Sequence, residues 1–241
     1  MKKIDSLLKG RKSIAFVDFE GTQFSHEMIA IGAVLVTLDK NNHIKSIKEP
    51  FMKYVKAKNK IGNYVVSLTH ITDEILKKEG LSFNEAMLSF KKYLGTKWKK
   101  CLFVTYGNHD VRIMNQSIAY NFQYPKDFCS QFHKNYADFA AFIGEFIRDE
   151  NGNPLSLVHN CEFFQVKMRE PAHDPVSDAV NLANLYDAVL KSPMLVQSEY
   201  KKAILHTNHF PEPVKAVLQK LNNGEEVTAK DYDQFVKDYI D

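Results

Sequence analysis

Cysteine is scarce in this chain. Cys101, Cys129 and Cys161 are the only three in 241 residues, odd in number and widely spaced. That excludes a disulfide framework and offers no metal-binding spacing, so they read as reduced thiols in or near a core. Long apolar runs are also missing. No stretch is long enough to span a membrane, and Met1-Lys2-Lys3-Ile4-Asp5 lacks the apolar centre of a signal peptide. Internal repeats and low-complexity tracts are absent as well. These absences point to a cytoplasmic protein with no membrane partner. An excess of one charge is nearly missing too: the net charge is +3, a weak sign of an anionic partner. What remains is ordinary for a globular protein, 44% hydrophobic and 25% charged. The length suits one well-buried domain with an appendage.

Apolar patterning predicts strands at 13–20, about 27–38 and about 45–56. The turn Asp39-Lys40-Asn41-Asn42 makes the second and third an antiparallel hairpin. Helices are expected near 72–79 and 83–95, where Phe83, Met87, Phe90 and Leu94 form one stripe. A strand at 101–106, a helix near 109–122 and a short strand near 133–138 follow. Further helices are expected near 138–148, 155–166 and 175–191. Three strands and then helix–strand alternation predict an α/β fold, a mixed sheet with helices on both faces. Ser192-Pro193 marks the end of a first domain, 1–194. Helices near 195–207, 212–222 and 228–240 form a short C-terminal extension, 195–241, packed on the domain or free to bind a protein partner.

Chemistry concentrates in acids. In Val17-Asp18-Phe19-Glu20-Gly21-Thr22, Asp18 and Glu20 leave a buried strand on the same face. Alone, such a pair is equally a solvated strand end. As a repelling pair it makes a cation site, and hard oxygen donors suit Mg²⁺ or Mn²⁺. In Tyr106-Gly107-Asn108-His109-Asp110, a strand and a Gly turn lead into a helix with Asn108 at its N-cap and Asp110 in its first turn. In His173-Asp174-Pro175-Val176-Ser177-Asp178-Ala179, Asp174 caps a helix that Pro175 begins, and Asp178 sits one turn in. Each of these acids singly is accounted for by the helix dipole.

Together, Asp18 and Glu20, then Asp110, then His173 with Asp178 and Ala179, resemble the DEDDh family of 3′→5′ exonucleases. Ser67-Leu68-Thr69-His70-Ile71-Thr72 and Tyr106-Gly107-Asn108 look like elements of its KapD-like and histone-mRNA-exonuclease branch. The likeness runs from about Ser13 to about Lys191. It departs from the family at Asp174-Pro175 after the His, which adds a carboxylate beside it, and at Gly21, where the branch often has Ala.

The resemblance implies a ribonuclease H-like fold and a metal-dependent exonuclease. Single-stranded RNA or DNA would be degraded from its 3′ end to 5′-mononucleotides. It implies two divalent ions, Mg²⁺ or Mn²⁺, on Asp18, Glu20, Asp110 and Asp178, with His173 as general base. Gly21 and Thr22 would meet the terminal 3′-hydroxyl, and Phe24 and Met28 are candidates to stack on the last base. Packing in the core is an equal account of Phe24 and a stronger one of Met28. Lys167 and Arg169 are candidates for phosphate contact. His109 is expected to point away from Asp110's site. Lys97, Lys99 and Lys100 around Trp98, and Lys53, Lys56, Lys58 and Lys60, read more readily as solvated loops than as nucleic-acid patches. The alternatives are a non-catalytic binding module on the same fold and the proofreading subunit of a polymerase.

Overall fold

A run of apolar residues buried on both faces, Ile14 to Val17, makes Ser13–Gly21 a central strand, β1. In the computed structural model, which describes residues 2–171, 173–206 and 209–240, a short helix α1 (Lys2–Leu8) precedes it. β1 pairs antiparallel with β2 (Met28–Leu38), and β2 pairs antiparallel with β3 (Ile44–Ile47) and β4 (Phe51–Tyr54). On its other side β1 runs parallel to β5 (Leu102–Thr105), which runs parallel to β6 (Tyr136–Asp138). The sheet order is β3-β2-β1-β5-β6, with β4 also on β2. This is the mixed sheet that the patterning predicts.

The expected single strand over 45–56 is two. β3 meets the end of β2, Val36 opposite Ile47, and β4 meets its beginning, Ala33 opposite Phe51 and Ala30 opposite Tyr54. Pro50 stands between them and has no N–H to give to a ladder. The predicted turn is held by Asp39, whose Oδ1 accepts from the amides of Asn41 (2.8 Å) and His43 (2.9 Å).

The helices in chain order are α2 (Asn63–Thr69), α3 (Asp73–Glu79), α4 (Phe83–Leu94), α5 (His109–Tyr120), α6 (Lys126–Lys134), α7 (Phe139–Ile143), α8 (Leu157–Phe163) and α9 (Pro175–Lys191). After them come α10 (Pro193–Leu205), α11 (Glu212–Asn222) and α12 (Ala229–Ile240). A capping box, Ser82 with Glu85, starts α4, and its predicted stripe is buried. α1, α2 and α6 were not expected. α2 is only seven residues long and none is fully buried, although Val65 and Val66 pack against a small core around Ile61 and Ile71.

Alternation along β1 decides what each face meets. Ala15, Val17 and Phe19 join a core with Phe90 of α4, Ile113 and Met114 of α5, Phe128 and Phe132 of α6, and Phe103 of β5. The opposite face carries Phe16, whose ring lies 5.5 Å from Tyr186 of α9. Asp18 and Glu20 share that face by period two. α9 lies close on the sheet because Gly32 of β2 has no side chain. A Cβ there would fall 2.0 Å from the carbonyl of Pro175.

The described chain falls into two compact units. One comprises Met1–Ala140 with Ser156–Lys191, the other Ala141–Leu155 with Ser192–Asp241. In the second, Phe146 packs edge-on against Tyr200, 5.5 Å between centroids. No described helix is long and apolar enough to cross a membrane. All three cysteines are free and buried, and burial pushes each thiol up to about 12, which keeps them protonated.

Candidate active site

Three segments bring acids to one point. Asp18 lies opposite Gly32 in the β1–β2 register, and the register shifts between Glu20 and Gly21. A bulge there turns the strand end away from its partner. The chain then folds into a tight turn in which the Thr22 amide donates to the Glu27 carbonyl (2.8 Å). Thr22 Oγ1 accepts from the Glu27 amide (2.9 Å). The Glu27 carboxylate, buried, accepts from the amides of Lys58 and Asn59 and so pins this turn to the loop after β4.

Asp110 comes from α5, in its first turn as predicted. Its Oδ1 accepts from the Phe19 amide (2.7 Å), which ties it between Asp18 and Glu20. Asn108 occupies the N-cap position but makes no side-chain capping bond. The turn is held instead through Gly107. Its amide donates to Asp138 Oδ1 (3.0 Å), and its carbonyl accepts from Thr105 Oγ1 (2.7 Å) and the Tyr136 hydroxyl (2.8 Å).

Asp178 comes from α9. Asp174 caps that helix as expected, its Oδ2 accepting from the Ser177 amide (2.8 Å), and Pro175 is the first helical residue. His173 precedes the cap on a left-handed backbone, φ 59°, and is exposed. The neighbouring Ala172 lies outside the described residues.

Asp18, Glu20, Asp110, His173 and Asp178 all line one pocket of about 410 Å³. The four acids are poorly solvated and repel one another. Burial, then the charges of Asp110, Glu20 and Asp178, hold the Asp18 carboxyl well above the usual carboxylate range. Burial and the charges of Asp178 and Asp110 push Glu20 up to about 8. Burial pushes Asp110 up to about 7, against the pull of its bond from Phe19. Burial raises Asp178 as well, and the nearby His173 partly offsets it.

Those raised acids bear on whether a cation fits. Among the described residues, no three His, Cys, Asp or Glu side chains form a finished ligand cage. The donors nonetheless share one pocket, are all oxygen, and are held apart by charge that a cation would neutralise. Hard divalent ions suit such a donor set.

The other candidates divide. Gly21 and Thr22 line the pocket. A Cβ at Gly21 would stand 2.9 Å from Ile113. Phe24 is 81% exposed and so is no part of the core. Met28 must be corrected: it is fully buried among the core side chains between β1 and α5 and cannot reach a base. Lys167 and Arg169 do not line the pocket. The backbone of Arg169 is instead bonded to the Asn181 side chain on α9.

His109 also needs correction. It lines the pocket beside His26, their rings edge-to-face at 5.3 Å. Burial, then the charge of Arg112, lowers the pKa of both. Tyr64, 65% exposed, and Tyr106 complete an aromatic border. Only the aromatic types of Tyr64 and Tyr106 beside two motif elements signalled this in the sequence, and nothing there signalled His26.

The Exonuclease family model (RNase_T) matches residues 15–186. No curated protein matches the chain. Among solved structures it is similar to the nuclease domain of 3′hExo, a DEDDh family member bound to rAMP. Identity is 20% over 76% of this chain and 93% of that one, with a TM-score of 0.61. It is similar to cell-death related nuclease 4 (CRN-4) at 21% identity, over 75% of this chain and 64% of that one, TM-score 0.59. Exonuclease I of E. coli, in complex with a 5cy-dT13 oligonucleotide, matches at 16% identity over 86% of this chain and 45% of that one, TM-score 0.59. At such identities the likeness concerns the fold, which is the ribonuclease H-like fold.

Proposed function

The chain belongs to the exonuclease family, and from that premise we propose that it degrades single-stranded RNA or DNA from the 3′ end to nucleoside 5′-monophosphates. Asp18, Glu20, Asp110 and Asp178 would hold two divalent ions, Mg²⁺ or Mn²⁺, and His173 serves as general base. The observation that supports this most directly is the meeting of all five side chains in one pocket from β1, α5 and the start of α9. The elements Ser67–Thr72 and Tyr106–Asn108 support a place in the KapD-like and histone-mRNA-exonuclease branch.

When bound, the ions supply the positive charge that stabilises the entering and leaving oxygens of an in-line displacement. The chain's own residues do the rest. Asp110, anchored on the Phe19 amide, is held at the pocket wall. Asp18, at the centre of the repelling set, would hold the ions together with Glu20, Asp110 and Asp178. His173, outside the acid cluster's backbone and exposed at the pocket, accepts the attacking water's proton on an imidazole nitrogen. Asp174 is occupied in capping α9 and leaves that role to His173. Gly21, on the pocket wall and free of a side chain, would lie against the 3′-terminal sugar beside the buried Thr22, the rings of Tyr64 and His109 at the pocket would meet unstacked bases, and Phe24, exposed outside the pocket lining, would meet one further along.

The test of polarity uses linear and circular single strands with either ion. A 5′-labelled linear strand of RNA or DNA should shorten progressively to mononucleotides. Rapid cutting of the circle would make the protein an endonuclease and overturn the proposal.

A further inference from the structure

At the opposite end of the strands, by the starts of β1 and β5, lies a second cleft, of about 670 Å³, larger than the catalytic pocket. Two basic stretches far apart in sequence converge on it: Lys9, Arg11 and Lys12 before β1, and Lys97, Lys99 and Lys100 before β5. β1 and β5 are parallel, so their starts lie side by side at one end of the strands and the acids at the end of β1 lie at the other. No Asp or Glu lines the cleft, and among the described residues none of the six cations forms an ion pair. The nearest relief is polar rather than ionic. Arg11 donates to Asn135 Oδ1 (2.5 Å), Lys97 to Thr37 Oγ1 (2.6 Å), and Lys12 to Asn42 Oδ1 (2.6 Å) and the Asp39 carbonyl (3.3 Å). Asp5 sits one bond behind, accepting from Asn42 Nδ2. Three cations are thus fixed on the cleft wall by neutral partners, and Lys9, Lys99 and Lys100 stand exposed at its rim.

Six like charges on one concavity repel each other unless an anion sits among them, and a row of phosphates satisfies several at once. We propose that this cleft binds the phosphate backbone of a nucleic-acid strand whose 3′ end occupies the catalytic pocket. The proposal rests on the exonuclease reading for the identity of that strand. The seven residue steps from Ser13 to Glu20 at about 3.3 Å each separate the sites by about 23 Å. A stacked strand rising about 3.4 Å per nucleotide needs about seven nucleotides to cover that distance. A tetranucleotide therefore reaches the catalytic pocket alone, and a 20-mer reaches both.

The test combines Lys9→Gln, Lys99→Gln and Lys100→Gln, which remove three rim charges and leave the bonds of Arg11, Lys12 and Lys97 in place. Binding of a labelled single-stranded 20-mer is followed by fluorescence anisotropy in EDTA between 50 and 200 mM salt, where no turnover is needed. Three lost phosphate contacts at about 0.7 each should make the salt slope shallower by about 2, so the wild type loses roughly 20-fold more affinity than the variant over that range. Turnover of a tetranucleotide with Mg²⁺ should be unchanged, and the triple Lys→Arg variant should bind as the wild type does. Equal 20-mer affinity and slope in the Gln variant would overturn the cleft's role. So would displacement of the 20-mer from the wild type by 1 mM inorganic phosphate, which would mark a small-anion site. A wild type that degrades neither oligomer with either ion would refute the exonuclease reading instead, while the anisotropy still decides the cleft.

Discussion

Asp110→Asn should make the metal-free protein more stable at alkaline pH while abolishing its chemistry. Asp110 is only 4% exposed, and burial holds its carboxyl at about 7 against an ordinary 3.8. That is about three units, and at about 1.4 kcal/mol per unit the folded state forgoes at most about 4 kcal/mol when the group is ionised. A raised acid holds its proton more tightly when folded. Its contribution is therefore fully present below about pH 4 and is lost as pH rises through about 7. Asn keeps an Oδ1 to accept from the Phe19 amide and never ionises. It also removes a charge that raises both Asp18 and Glu20. Against this stands an amide group placed where a carboxylate oxygen was, so a net gain of about 1–3 kcal/mol is expected, or several degrees in Tm for a chain of this size. The assay is thermal unfolding in EDTA from pH 4 to 8.5. The gap between variant and wild type should be small near pH 4, widen, and level off above about pH 7. Saturating Mn²⁺ at pH 8 should stabilise the wild type and close the gap. A variant less stable than the wild type at pH 8 in EDTA, or a gap independent of pH, would refute the picture of a strained acid cluster.

His173→Asn, which suits the left-handed backbone at that position, should slow turnover by roughly 10²–10⁴-fold while calorimetric Mn²⁺ binding survives. Asp18→Ala should lose or badly weaken that binding. Gly32→Ala should displace the start of α9 from β2, costing about 1–3 kcal/mol in denaturant unfolding and lowering turnover, because the new Cβ meets the Pro175 carbonyl at 2.0 Å. A Gly32→Ala protein with wild-type stability and rate would show that this close approach does not position Asp178.

The parts of the site legible in the sequence were those written in local pattern. Period two put Asp18 and Glu20 on one face, and cap chemistry located Asp174, Pro175 and hence Asp178 on α9. The apolar stripe of α4 and the hairpin turn at Asp39 were legible for the same reason. What escaped depended on partners distant in the chain. His109 turns into the pocket because α5 is docked through the Asp110–Phe19 bond, which no helical period encodes. Met28 begins a strand next to the site, yet its side chain falls on the core face. α6 has no side-chain cap to announce it, and α2 is a seven-residue helix with no fully buried residue. Pro50 offered the local sign that would have divided the strand over 45–56. The association of residues 141–155 with the C-terminal helices into one compact unit has no signature in periodicity. Likewise, Lys97, Lys99 and Lys100 read as a solvated loop until the fold sets Lys9, Arg11 and Lys12 across from them.

The reading of four carboxylates and one histidine as a metal-dependent hydrolytic site stands or falls on metal. Its most direct measurement is degradation of a 5′-labelled single strand by metal-stripped protein, with Mg²⁺ or Mn²⁺ then titrated back. We expect no shortening in EDTA and full recovery with the added ion, because among the described residues no Lys or Arg lines the pocket to offset its acids. Full degradation in EDTA would contradict it.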